Sequence, residues 1–309
     1  MSSEISRRDF LARLGITALS LPVLSWASAT QAAALSVPGL KLGYSAITWG
    51  GNDVQAIQDI AALGFKGIQL RSNVLKAYGD KPAELQAMLK QHKLELVMFS
   101  GGNANINTGN DEEVIQNLLK TARFVKALGG RDIQITNSSR PKTGAPSNQD
   151  LVQYGKLLEE IGKRTAAFGV QVNYHNHMHQ LGETPEEVAV ILENCDPKYV
   201  KLELDVAHYH QGGGDPVAAV KQYQKRLNAL HLKDVRPKTG AADPRAYTFV
   251  ELGQGQVDLP GVFKALREVK FKGWGIIELD SVPDKSKTPR QCAEITKDYL
   301  VKQGFKLTS

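Results

Sequence analysis

Val172-Asn173-Tyr174-His175-Asn176-His177, Leu202-Glu203-Leu204-Asp205, Leu230-His231-Leu232-Lys233-Asp234 and Ile276-Ile277-Glu278-Leu279-Asp280 share one pattern. Apolar and polar residues alternate, and the polar ones gather at the C-terminal end. Side chains alternate across a strand. Val172 and Tyr174 therefore face one way, and Asn173, His175 and His177 the other. Leu202 and Leu204 likewise oppose Lys201, Glu203 and Asp205; Leu230 and Leu232 oppose His231 and Lys233; Ile277 and Leu279 oppose Glu278 and Asp280. The apolar faces suit packing on helices, which leaves the polar faces for the interior of a closed sheet. In an α/β barrel the C-terminal strand ends converge on one mouth, where active sites sit.

Outward from these segments the chain alternates short apolar runs with longer helical stripes from Leu40 onward. Strands are expected over Leu42–Trp49, Gly67–Arg71, Leu94–Ser100, Asp132–Thr136, Gln171–His177, Val200–Asp205, Asn228–Asp234 and Gly275–Asp280. Val114, Leu118, Ala122 and Val125 repeat at helical spacing after Asn110, a candidate N-cap. Leu85, Met88 and Leu89 do the same. Thr184-Pro185-Glu186-Glu187 and Thr288-Pro289-Arg290-Gln291 read as capping boxes, with Pro in the first turn, and Asp215-Pro216 as a simpler cap. Gly64, Gly129 and Gly169 each stand between a helix and the next strand, where a left-handed C-cap is common.

Strand–helix alternation implies parallel strands joined by crossovers. Eight such units suit a single closed (β/α)8 barrel, for which ~250 residues is typical. An open doubly wound sheet usually carries a Gly-rich phosphate turn after its first strand. Thr48-Trp49-Gly50-Gly51-Asn52 lacks that fingerprint, and so does Gly212-Gly213-Gly214, which reads as a flexible loop leading to the Asp215 cap.

The first 34 residues stand apart. Ser6-Arg7-Arg8-Asp9-Phe10-Leu11 carries an arginine pair, an apolar stretch follows from Leu14 to Ala27, and small residues run through Ala34. This resembles a twin-arginine export signal, which is removed, leaving a barrel domain over residues 38–309. The resemblance implies an exported or periplasmic protein, with the twin-arginine machinery as a transient partner. That route carries folded proteins, often with cofactor loaded.

The chain is 42% hydrophobic and 23% charged, an ordinary globular balance. Its net charge is +6. Arg7, Arg8 and Arg13 against Glu4 and Asp9 give the leader +1, so about +5 remains, without long basic runs. A nucleic-acid binder usually shows a clustered patch, and none is evident. No run after the leader is long enough to anchor the protein stably in a membrane. Cys195 and Cys292 stand in unrelated positions without metal-type spacing; they read as thiols without a function, and spacing does not say whether they pair.

Buried charges are costly unless paired or bound to a metal. Carboxylates and imidazoles crowded at one mouth are most simply satisfied by one divalent ion. Mixed nitrogen and oxygen donors suit zinc, manganese, iron or cobalt rather than calcium. His208 follows Asp205 closely enough to reach metal or substrate. His210 reads as solvated, His92 as inert, and His179 is left open. Gln69 and Arg71 face the interior on the second strand, where they can meet substrate hydroxyls or simply fill the barrel; Asn176 and Asp280 are further candidates for binding substrate.

Together the four opening segments, with Val206-Ala207-His208 after the second, resemble the xylose-isomerase-like barrel superfamily across the whole chain after the leader. Its members include sugar isomerases and epimerases, inosose dehydratases and keto-glycoside lyases. The resemblance implies a divalent metal held from strands five to eight, at Asp205, His231, Glu278 and a fifth-strand residue. That residue is His175, with His177 second, where many relatives have Glu. In the Tyr-His-Asn-His subgroup an acidic residue often follows shortly after; Gln180 stands there. Many relatives also have Glu where Gln69 stands.

The resemblance further implies α-proton abstraction from a keto-sugar or keto-glycoside, with Glu278 as base. Lys233 adds positive charge, and His208 or His177 protonates a leaving oxygen. Isomerase or epimerase and carbon–oxygen lyase outcomes are both expected readings. A sugar-binding barrel without activity is the alternative from another class. An apurinic-type nuclease needs more metals and a basic surface, which this chain does not offer.

Overall fold

The computed structural model describes residues 36–136, 139–141, 144–242 and 246–307. The expected export leader lies outside them. In chain order the strands are β1 (Leu40–Ser45), β2 (Gly67–Arg71), β3 (Glu95–Asn103), β4 (Asp132–Thr136), β5 (Gln171–His175), β6 (Val200–Asp205), β7 (Leu227–Leu232), β8 (Asp234–Pro237), β9 (Tyr247–Val250) and β10 (Gly273–Ile277). Eight close into a parallel barrel in the order β1-β10-β7-β6-β5-β4-β3-β2, while β8 and β9 form a separate two-stranded sheet. Helices cross over between barrel strands, so the fold is a single (β/α)8 barrel.

The alternation of faces holds. Val172, Tyr174, Leu202, Leu204, Leu230, Leu232 and Ile277 all join the main hydrophobic core. A small interior cluster of Val97, Met98, Ala229 and Ile276 is separate from it. Beside that cluster, Asn173 and Asn228 donate to Asp132 Oδ1 at 3.0 and 2.7 Å.

Several strands stop earlier than expected. Ala46–Trp49 forms a tight 3-10 turn after β1, and His177, Lys233, Glu278 and Asp280 all lie beyond the last paired residue of their strands. Asp234 belongs to an antiparallel hairpin, pairing with Val250, which the seventh-strand expectation had absorbed.

Thr184, Asp215 and Thr288 cap the helices Pro185–Glu193, Pro216–Gln222 and Pro289–Lys302 through their side chains. Only Thr288 completes the reciprocal box. Glu187 does not return a bond to Thr184; its Oε2 accepts from Gly182 N, Glu183 N and Arg140 Nη1 at 3.0, 3.0 and 2.6 Å. Asn110 occupies its cap position without a side-chain bond. The triple-glycine loop is packed rather than loose. A Cβ at Gly212 would fall 1.9 Å from the Glu183 carbonyl, and one at Gly214 would fall 2.3 Å from the Tyr209 ring.

Among the described residues no helix is long and apolar enough to cross a membrane. Cys195 and Cys292 are free and buried.

Candidate active site

Asp205 ends β6 and begins the next helix, Val206–Gln211. As its N-cap, Asp205 accepts at Oδ1 from Ala207 N and His208 N, at 2.9 and 2.8 Å. That fixes the carboxylate and leaves Oδ2 buried without a hydrogen-bond partner. Asn176 holds the same residue from behind. Its carboxamide takes the Asp205 N–H at 2.9 Å and donates to the Asp205 carbonyl at 3.1 Å. The residue expected to meet substrate is thus spent on orienting Asp205.

Around Asp205 Oδ2 stand His175 and His231, with Nε2 and Nδ1 each 3.5 Å away. Glu278 Oε1 lies 3.4 Å from His231 Nδ1. The four residues are all buried, and each offers a donor atom within 4.8 Å of the others. Bonds of ~2.1 Å to a tetrahedral centre require donor atoms about 3.4 Å apart. The carboxylate–imidazole spacings meet that figure. The two imidazoles are closer, at 2.9 Å, a hydrogen-bond distance bridged by one proton.

On its far side His231 Nε2 donates to Gln69 Oε1 at 2.8 Å, with Glu203 Oε1 at 3.2 Å. Such a bond selects the tautomer that turns the opposite nitrogen's lone pair toward an ion. Gln69 in turn donates to Ser100 Oγ and Gln134 Oε1. It therefore positions His231, where a contact to substrate had been expected. The orphaned Asp205 oxygen and the mixed donor set fit a divalent ion. The chosen fifth-strand residue, His175, is in the cluster; His177 is not. Gln180 lies away from it, bridged to Ser139, its carbonyl accepting from Arg140.

Charges follow from this packing. Burial works against ionisation of Glu278, but His231 and Lys233 outweigh it and hold the carboxyl at about 2. Burial would lower His231, yet Glu203 and Glu278 outweigh it and raise the imidazole to about 9. Burial lowers His175 to about 4 and pushes the Glu203 carboxyl up. Lys233 is fully buried, yet Asp280 and Glu278 keep it charged, and its ammonium donates to them at 2.6 and 3.1 Å. It also lies 4.0 Å from the Phe249 ring centroid.

His177, Glu278, Asp280, Arg71, Ser100 and Gln134 line a cavity of ≈ 250 Å³ at the strand ends, together with His175. Larger clefts exist elsewhere among the described residues, and they are lined by other side chains. His177 Nδ1 is engaged by the Met178 carbonyl at 2.6 Å, which leaves Nε2 for other work. His208 is buried behind His177, their ring centroids 3.9 Å apart. Its Nδ1 accepts from Met178 N at 3.3 Å, and burial lowers it well below an ordinary imidazole. Sequence reading had not singled out Ser100 and Gln134. The same alternation, applied to the third and fourth strands, finds them. Phe249 had no such signal.

A family profile described as xylose isomerase-like TIM barrel matches residues 57–299. An inosose dehydratase of Mesomycoplasma hyopneumoniae (strain J) is 27% identical, over 84% of this chain and 95% of its own. The rhizopine catabolism protein MocC of Rhizobium meliloti is 26% identical, over 89% and 93%. Among solved structures, the IolI protein with a bound zinc atom superposes with a TM-score of 0.73 at 18% identity, covering 87% of this chain and all of that one. With the family profile spanning most of its length, the chain belongs to the xylose isomerase-like TIM barrel family.

Proposed function

We propose that this protein is a metal-dependent carbon–oxygen lyase acting on a keto-sugar, beginning with removal of the proton next to the ketone. The observation that carries the reading is an asymmetry. Of the two carboxylates in the donor cluster, Asp205 is tied down by two backbone N–H groups, and only Glu278 lines the cavity. The fifth-strand donor is His175, which is not a second carboxylate base.

His175, Asp205, His231 and Glu278 would hold a divalent ion, which would supply positive charge beside the ketone oxygen as negative charge develops on it. Glu278, kept ionised, accepts the α-proton. Lys233 holds Glu278 and Asp280 in place and offsets their charge. His177 Nε2 delivers a proton to the leaving β-oxygen as that carbon–oxygen bond breaks, so water or an alcohol departs. Arg71, Ser100 and Gln134 meet the hydroxyls. The similarity to inosose dehydratases supports elimination.

Epimerisation or isomerisation is the second reading. It is favoured by His177 in the same cavity, which can return a proton to carbon. The protein also acts outside the cytoplasm on this proposal, since its first 34 residues follow the twin-arginine pattern.

The test is exchange of substrate α-protons with deuterated solvent over a panel of keto-sugars. Glu278→Gln keeps the shape and cannot accept the proton. Exchange should fall by about 10²–10⁴-fold, the range of a general base. Exchange at the wild-type rate in Glu278→Gln sinks the assignment. No exchange by the wild type on any keto-sugar supports a binding protein instead.

A further inference from the structure

Five arginines among the described residues are half-buried: Arg71, Arg140, Arg164, Arg226 and Arg267. Four of them spend the guanidinium on acceptors. Arg140 donates to Glu187, Arg164 to Glu160 and Glu112, Arg226 to the Cys195 carbonyl and Arg267 to the Ser36 carbonyl. Arg71 alone has neither a hydrogen bond nor an ion pair among the described residues. Asp53 is near enough for the guanidinium to favour its ionised form, but no ion pair joins the two, and Asp53 Oδ2 accepts from Asn73 Nδ2 at 2.6 Å. A guanidinium has five N–H donors, and drawing them partly out of water without an acceptor costs free energy. An arginine kept for packing finds its acceptors within the fold. An arginine kept for recognition receives its acceptor with the ligand.

Arg71 is the last residue of β2 and shares a face with Gln69, whose side chain reaches His231 inside the barrel. It pairs in register with Ser100 on β3, which pairs with Gln134 on β4. All three line the cavity at the strand ends. The polar neighbours of Arg71 on this wall are bonded to one another. Ser100 donates to Gln134 Oε1, Gln69 donates to both, and Thr136 donates to Asn103 Oδ1. The other charges of the cavity are also matched, since Lys233 donates to Glu278 and Asp280. Arg71 is therefore the one cation lining the cavity that is left over.

We propose that Arg71 receives a carboxylate of the substrate, so that the substrate is an anionic keto-sugar acid and not a neutral keto-sugar. The inference rests on the keto-sugar reading above and adds the charge that the sugar carries. A hydroxyl satisfies one N–H of the guanidinium and leaves its charge uncompensated. A carboxylate takes two parallel bonds from the planar fork and cancels that charge. A phosphate brings close to two negative charges, against one free cation in a cavity that already holds Glu278 and Asp280.

The test is equilibrium binding to the metal-loaded protein, which is independent of turnover. Two pairs of probes differ only in a terminal hydroxymethyl against a carboxylate: D-fructose with 2-keto-D-gluconate, and L-sorbose with 5-keto-D-gluconate. L-sorbose 6-phosphate is the phosphate arm. Wild type should bind at least one acid about 10–100-fold tighter than its neutral partner, the range of a charge-assisted hydrogen bond. Arg71→Gln keeps an amide donor and removes the charge, and should bring that ratio to about one. Arg71→Lys keeps the charge and loses the fork, and should give a ratio in between. An acid held only by chelating the metal would keep its advantage in Arg71→Gln, and that result overturns the subsite. Equal affinities in wild type, or no binding of either acid, overturn it as well. Tighter, Arg71-dependent binding of the phosphate overturns the carboxylate. Should Arg71→Gln fail to fold, Arg71→Lys decides, since a wild-type ratio in that variant also overturns the subsite. Exchange of α-protons is read on the same probes. An acid that binds through Arg71 and exchanges no proton would remove the proposed chemistry and keep the subsite.

Discussion

Asp205 does two jobs with two oxygens, one capping a helix and the other facing two imidazoles and Glu278. Replacing it with Ala removes both. Metal analysis of Asp205→Ala should find no stoichiometric divalent ion, and loss of the cap should cost about 1–2 kcal/mol of stability. Undiminished metal in both Asp205→Ala and His231→Ala would show that the cluster is not the binding site. His231 adds a pH dependence. Its imidazole rises from 6.5 to about 9 in the folded chain, and an ion must displace that proton to reach Nδ1. Below about pH 9 each unit of acidification should therefore weaken metal binding about tenfold. The sign for the metal-free protein is opposite. A raised imidazole pKa gives stability that is full below 6.5 and is lost as pH rises through about 9. Metal titrations from pH 6.5 to 9 should show affinity climbing while the stability of the chelated protein falls. A flat affinity profile would mean that His231 carries no such proton.

The β8–β9 hairpin is the element that most separates the observed protein from its sequence pattern. It hangs on one carboxylate. Asp234 is buried and accepts four backbone N–H groups, from Val235, Gly253 and Gly255 at 2.9 Å and from Val257 at 3.1 Å. Asn at this position keeps one acceptor oxygen and turns a donor toward the others. Asp234→Asn should cost about 3–6 kcal/mol, two charged hydrogen bonds' worth, read as a lower denaturant midpoint. Faster proteolysis between β8 and β9 should accompany it. An unchanged midpoint would show that the hairpin is held by Phe249 and Tyr247 alone. Why the hairpin escaped sequence reading is physical. Asp234-Val235-Arg236-Pro237 and Tyr247-Thr248-Phe249-Val250 are four residues each, too short for a period to show, and Pro237 ends the first. The barrel strands were legible because one face of each packs on helices, so apolar and polar residues must alternate. Asp205, His231 and Glu278 were legible for the same reason. The bond from His231 to Gln69 was not. Its partners are 162 residues apart, brought together by barrel closure, which no local pattern encodes.

At the scale of the molecule, the candidate centre draws on β5, β6, β7 and the end of β10, with its second layer on β2, β3 and β4. Such a centre exists only in the closed barrel, because donors so far apart in sequence meet at no earlier stage. Metal choice is therefore tied to the compartment in which the barrel closes. A chain threaded unfolded through a membrane would fold outside, where the metal supply differs. On the proposal of twin-arginine export, the Arg7-Arg8 pair would direct the chain to the route that moves folded proteins, and the barrel would close over its ion first. The pair and the buried centre then make one physical argument. Replacing Arg7 and Arg8 by Lys keeps the leader's charge and apolar stretch and removes only the guanidinium pair. Fractionation of cells expressing this variant should find the uncleaved precursor, folded and metal-loaded, in the cytoplasm, while the unaltered protein is recovered outside it at the shorter length. Export of the variant at the normal rate would detach the leader from the twin-arginine route, and with it the link between export and metal loading.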